Sequence, residues 1–196
     1  MRPACDGWAR LRGTDGRGRI DPRAPTAQRV RLRAWRDSDL EPFAALNADP
    51  EVMRWLGEPM TRAASDATAA RIRAEMQHRG FGLWAVEVPG IADFIGFVGL
   101  QVPRFEADFT PCVEVGWRLA RAYWGSGYAT EAARASVDHG FRELGLDEIF
   151  SFTVVHNARS RRVMERLGMR EDQEFDHPSV PRGHELERHV LYRLRP

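Results

Sequence analysis

Two glycines separated by one residue, Gly125 and Gly127, lie between a strand-like run and a helix-like run, a combination suited to holding a phosphate. Val113, Val115, Trp117 and Leu119 alternate with Glu114, Gly116 and Arg118, the period of two of a half-buried strand. From Ala129 onward, Ala133, Ser136, Val137, Gly140, Phe141 and Leu144 follow helical spacing. Between them, Tyr123-Trp124-Gly125-Ser126-Gly127-Tyr128 offers two positions that tolerate positive φ or bare backbone against another group. A helix start also has unpaired N–H groups and a partial positive charge, so the expected guest is a diphosphate.

The neighbouring residues narrow the choice. A nucleoside-triphosphate loop needs a Lys-Ser or Lys-Thr pair after its glycines, and Gly127 is followed by Tyr128-Ala129. A dinucleotide fingerprint needs a third Gly or Ala, where position 130 is Thr, and an acid after the next strand, where Ile149 to Val155 runs into His156-Asn157. The six histidines have no metal-ligand spacing, and no serine lies in a nucleophile elbow, so Asp176-His177 does not extend to a triad.

The run from Glu114 to Ala132 resembles the GNAT superfamily of acetyl-coenzyme A-dependent N-acetyltransferases. Within it, the closest pattern is the RimJ/RimL branch that acetylates ribosomal-protein N-termini, where Glu-x-Gly-aromatic leads into aromatic-Trp-Gly-x-Gly-Tyr-Ala-Thr-Glu-Ala. The usual Arg or Gln three residues before the first glycine is Ala122 here, which removes one cofactor contact. A second block, His156-Asn157-Ala158-Arg159-Ser160 through Val163, Glu165 and Gly168, is similar to the branch's Asn-x-x-Ser segment. Its residues also read locally as a helix, with Asn157 as N-cap, Val163 and Leu167 as an apolar stripe and Gly168 as C-cap. Gln28 to Leu40, Ile95 to Leu100 and Glu174 to Leu194 extend the resemblance, leaving only residues 1 to about 26 outside it.

The resemblance implies an α/β (α+β) GNAT fold: one domain with a mixed, mostly antiparallel sheet, splayed at the cofactor site and covered by helices on both faces. Acetyl-pantetheine would enter the splay as an extra strand, pairing with backbone at Trp117, Arg118 and Leu119. Gly125, Ser126, Gly127, Tyr128, Ala129 and Thr130 would hold the pyrophosphate, and Asn157 the pantetheine arm. Glu114 would be the general base, acting through water, and Ser160 would donate to the departing sulfur. Taken alone, Glu114 reads equally as an exposed strand residue or ion-pair partner, and Ser160 as a second helix cap. Trp35, Trp55 and Trp84 are candidates for the acceptor wall, and acceptor choice would lie in Glu51 to His78 and Asp176 to Glu187.

The chemistry joins a neutral amine to a thioester, with a stabilised oxyanion and a proton for the thiolate. An α-amine has a pKa of about 7.7–8.0 and a lysine about 10.4, so at pH 7 deprotonating the lysine costs roughly 3 to 4 kcal/mol more. A protein N-terminus is therefore the slightly preferred acceptor, attacking directly in a ternary complex. A polyamine, amino acid or aminoglycoside is the alternative, and a non-catalytic acyl-coenzyme A sensor is a second one.

These residues need positioning. The pattern predicts strands near Arg29–Arg33, Phe81–Val88, Phe94–Val102, Cys112–Leu119, Ile149–Val155, Met169–Phe175 and Arg188–Leu194, with a hairpin turn at Pro89-Gly90. It predicts helices at Ser38–Asn47, Thr61–His78, Thr130–Leu144 and Ser160–Leu167, the first opened by a Ser38/Glu41 capping box. With 196 residues, a net charge of +1 and no long apolar run, one soluble domain is expected, with neither nucleic acid nor membrane as partner beside the amine acceptor, and a homodimer left open. Cys5 and Cys112 form no disulfide framework, which makes a reducing cytoplasm the default location. The segment Arg2 to Arg36 is rich in Arg, Gly, Pro and Asp; a basic arm touching RNA or the ribosome is one reading of it, and residues 1–26 read in preference as a disordered basic leader or as the product of a start placed too far upstream.

Overall fold

The computed structural model describes Ala24, Pro25 and residues 27–196; but for those first two residues, the expected leader lies outside the described residues. Seven strands form one sheet in the order β1-β2-β3-β4-β5-β7-β6. They are β1 (Arg31–Arg33), β2 (Leu83–Val88), β3 (Ala92–Gln101), β4 (Glu114–Leu119), β5 (Ile149–Val154), β6 (Arg170–Asp176) and β7 (Arg188–Leu194). All neighbours pair antiparallel except β4 and β5, which are parallel and share one register pair, Glu114↔Phe150. There the Phe150 N–H donates to the Val113 carbonyl at 2.9 Å, and beyond this rung the two strands part. The expected splay is therefore present.

The helices are α1 (Leu40–Ala48), α2 (Pro50–Met53), α3 (Arg62–Arg79), α4 (Tyr128–Arg142) and α5 (Ala158–Leu167). On one sheet face, Phe43 of α1 packs into a ring cluster with Trp35, Phe94 and Phe97. On the other face α4 lies so close that a Cβ at Gly140 would come within 2.7 Å of Ile149 Cδ1, which explains a glycine inside that helix. All six residues of β2 are buried, as a strand covered on both faces must be. No described helix is long and apolar enough to cross a membrane.

Two expectations need correction. The Ser38/Glu41 capping box does not form. The carboxylate of Asp39 accepts from the Arg36 backbone N–H at 2.7 Å and holds the Arg33 guanidinium with two bonds of 2.7 Å. A buried bidentate ion pair outcompetes a surface serine for the turn, and Glu41 instead pairs with Arg62. Trp84 is not an acceptor wall: it is fully buried and packs edge-on against His139 of α4, on the sheet face opposite Glu114. Trp35 also lies in the core, its Nε1 donating to the Leu83 carbonyl, which leaves Trp55 half-buried after α2.

Candidate active site

Residues directly opposite one another in paired strands share a face, and the register puts Gln101, Glu114 and Phe150 on one side of the sheet, followed by Gly99 with Gly116 and Phe97 with Arg118. This is the face that carries α1. Glu114 is neither exposed nor ion-paired among the described residues, so both plain readings of it fail. Gln101 Nε2 donates to its Oε2 at 2.9 Å, and burial pushes the carboxyl up to about 8, with the Gln101 bond pulling the other way. A carboxyl with that pKa exchanges its proton near neutral pH, as a general base requires.

β4 leads through a turn at Arg121–Tyr123 into the two glycines. Gly125 and Gly127 adopt φ of 80° and 82°, the left-handed region that disfavours every other L-residue. Among the described residues, nothing lies within 4 Å of a Cβ built on Gly125 and no side chain caps the start of α4, which leaves its first helical N–H groups without a side-chain partner there. Arg29, just before β1, stands over this nest. It pairs with Glu131 at 2.7 Å, donates to the Ser126 carbonyl at 3.2 Å, and lies over the Tyr128 ring. Partial burial pushes the Glu131 carboxyl up, but the bonds from Arg29 outweigh it and its pKa falls below the ordinary value. The acid in the first turn of α4 is thereby neutralised where an anion would enter. Sequence reasoning missed Arg29, because its partners lie about a hundred residues away in the chain.

The far side of the splay is the start of α5. Asn157 accepts from the Ser160 backbone N–H at 3.3 Å as its N-cap, and its Nδ2 donates to Thr153 Oγ1 at 2.9 Å and Ser160 Oγ at 3.2 Å. Its amide is thus spent inside the turn, where it orients Ser160. The Ser160 hydroxyl accepts from Asn157 and keeps its own proton to give. Trp124 Nε1 donates to the Leu119 carbonyl at 2.8 Å, and Arg159 lies 4.5 Å from the Trp124 ring centroid, so the turn and the α5 start touch across the opening.

Residues 29–170 match the family model described as "Acetyltransferase (GNAT) domain". The chain belongs to the GNAT acetyltransferase family. It is 32% identical over 142 residues to an uncharacterized Bacillus subtilis protein, YkkB, covering 72% of this chain and 81% of that one. It is 35% identical over 137 residues to an Aspergillus fumigatus protein named FsC-acetyl coenzyme A-N(2)-transacetylase, covering 66% of this chain and 57% of the other. Among solved structures, Mycobacterium smegmatis RimJ in complex with CoA-disulfide shares the fold with a TM-score of 0.72 at 21% identity, over 90% of this chain and 89% of that one.

This acetyltransferase uses acetyl-coenzyme A, and the site fits that group. The two positive-φ glycines and uncapped α4 start suit a pyrophosphate, and the open β4 edge past the Glu114↔Phe150 rung suits the amides of pantetheine. When bound, the cofactor supplies the activated acetyl thioester. The protein's own groups bracket the splay: a sequestered carboxyl on β4, and a hydroxyl on α5 with a proton to donate.

Proposed function

We propose that this acetyltransferase is of the RimJ/RimL type and acylates a primary α-amine by direct attack in a ternary complex, with a protein N-terminus as the preferred acceptor. The observation that carries this reading is the Glu114 carboxyl, buried on β4 beside the splay with Gln101 bonded to it at 2.9 Å, and raised by that burial to about 8, nearer to an α-amine at about 7.7–8.0 than to a lysine at about 10.4. Proton transfer between groups of equal pKa is close to thermoneutral, so one buried carboxyl suffices for an α-amine. The same carboxyl would face a lysine amine about 2.4 units more basic. Glu114 takes the amine proton directly or through one water, the C–S bond breaks as the amine nitrogen bonds to the acyl carbon, and the Ser160 hydroxyl donates a hydrogen bond to the departing thiolate, which takes its proton from solvent while Glu114 returns the amine proton to solvent. The backbone at Trp117, Arg118 and Leu119 aligns the pantetheine, and residues Gly125 to Thr130 hold the pyrophosphate.

Release of coenzyme A thiol from acetyl-coenzyme A, followed across N-terminal peptides, lysine peptides, polyamines and aminoglycosides, tests the proposal. Selective turnover of N-terminal peptides is the expected result. Turnover confined to polyamines or aminoglycosides would reassign the acceptor, and equal turnover of lysine peptides would remove the argument from Glu114.

A further inference from the structure

Among the described residues, Arg118 is a cation with no counter-charge. Its Nη1 donates to Asn47 Oδ1 at 2.6 Å, and Asn47, fully buried on α1, passes its own Nδ2 to Ser65 Oγ of α3 at 2.9 Å. The guanidinium carbon lies 5.4 Å from the Phe97 ring centroid. Its Nε is closed off from solvent and has no hydrogen-bond partner among the described residues. No carboxylate among the described residues pairs with it. Burial pushes its pKa down to about 10, and the nearby charge of Arg71 on α3 pushes the same way. Elsewhere this fold pairs the arginines it buries: Arg33 holds both Asp39 and Glu87. Arg118 is half-buried with its Nε fully enclosed, and desolvating a guanidinium to that extent without an anion is destabilising unless something else supplies the anion.

The position of Arg118 suggests what supplies it. Glu114 and Arg118 point to the same sheet face four residues apart, and the residue between them on that face is Gly116. A Cβ there would meet only Gln101 Nε2 at 3.6 Å and Glu114 Oε1 at 3.7 Å, ordinary contacts, so the floor between the two charged groups carries no side chain. Four strand residues span about 13 Å. Glu114 does not neutralise the arginine, since its carboxyl is buried against Gln101 and the neutral form predominates at pH 7.

We propose that the acceptor carries a carboxylate within about three residues of its reacting amine, given that ~13 Å span, and that Arg118 receives this carboxylate while the amine lies at Glu114. The inference rests on the acetyltransfer proposed above and narrows its acceptor class. Its side-chain role is separate from the backbone pairing at the same residue, and it disfavours polycationic acceptors, which would meet Arg118 and Arg71 together. The carboxylate has two sources: an acidic side chain near a peptide N-terminus, or the α-carboxylate of a small amino acid or dipeptide.

The test measures kcat/KM on the full chain for matched pairs of acceptors: peptide amides beginning Ala-Glu against Ala-Gln, and free dipeptides against their C-terminal amides, with spermidine as the cationic control. A preference for the acid of about ten- to hundredfold in either pair is expected, and the pair that shows it identifies the source. Arg118→Gln should collapse that ratio toward one. Asn47→Asp, which supplies an internal anion, should do the same while raising Tm, and it guards against an Arg118 variant that fails to fold. Thiol release with any amine reads the underlying activity. Turnover with equal rates for acid and amide in both pairs, a ratio that survives Arg118→Gln in folded protein, or a preference for spermidine overturns the inference.

Discussion

Gln101 and Glu114 face each other across the β3–β4 pair, and the 2.9 Å bond from the amide is the only hydrogen bond to that carboxyl among the described residues. The amide donates to the ionised form and so opposes desolvation, which is why the carboxyl settles at about 8 rather than higher.

The rate should follow this ionisation. kcat/KM of the wild type for an N-terminal peptide is expected to rise with pH through an apparent pKa near 8. Glu114→Gln should lower it by about 10²–10⁴-fold and leave only the rise set by the peptide's own α-amine at about 7.7–8.0, so the limb contributed by the carboxyl is lost. A wild-type profile with no inflection between pH 7 and 9 would remove Glu114 as the base.

Stability carries the opposite sign. The folded carboxyl keeps its proton up to about pH 8, while the unfolded one releases it near 4.5, so between those values the native state binds more protons. Stability must then fall as pH rises across that window and level off above it. Glu114→Gln lacks this slope and is expected to be the more stable protein at pH 7, read by urea denaturation at pH 5, 7 and 8.5.

Gln101→Leu removes the opposing bond and moves the Glu114 inflection above 8. Each unit of upward shift lowers the ionised fraction at pH 7 about tenfold. Activity at pH 7 should drop while the plateau at high pH changes less. An unchanged inflection would show that the amide does not govern the carboxyl.

Gly125→Ala and Gly127→Ala separate backbone from space. Both force a Cβ into left-handed φ, at roughly 1–2 kcal/mol. At Gly125 nothing else is touched, whereas at Gly127 the new carbon lies 3.3 Å from Arg29 Nη2. Calorimetric titration with coenzyme A should show at least tenfold weaker binding for both. Retained affinity would move the pyrophosphate elsewhere.

Under the proposed role, in which the Ser160 hydroxyl that accepts from Asn157 donates to the departing sulfur, Ser160→Ala should lower kcat about tenfold or more with coenzyme A affinity retained. Asn157→Ala should lower kcat and also cost about 1 kcal/mol of stability as a lost N-cap. A serine variant with full kcat would leave the thiolate to be stabilised by another group.

Where one residue type in one local pattern decides the outcome, the sequence was readable. The glycine nest, the Asn157 cap, the Gly168 stop with φ of 86°, and the Pro89-Gly90 hairpin all depend on chemistry within a few residues. What escaped depends on the second layer. Glu114, Gly116 and Arg118 alternate with apolar neighbours like a solvent face, yet helices cover that side of the sheet. Trp84 lies in a strand buried on both faces, where composition does not show which way a side chain points. Arg118 finds Asn47 across 71 residues, and Arg29 finds Glu131 across 102, distances over which spacing rules say nothing.

The single rung between β4 and β5 has a consequence for handling the protein. Past Glu114↔Phe150 the β4 edge has no partner strand among the described residues, and an unpaired strand edge is a template for another chain. Coenzyme A seated in the splay as proposed would close that edge, and would then guard against aggregation as well as serve as a reagent. Light scattering on heating should begin at a higher temperature with saturating coenzyme A, by more than the added binding energy alone shifts Tm, so a cell short of the cofactor would hold a stickier protein as well as an idle one.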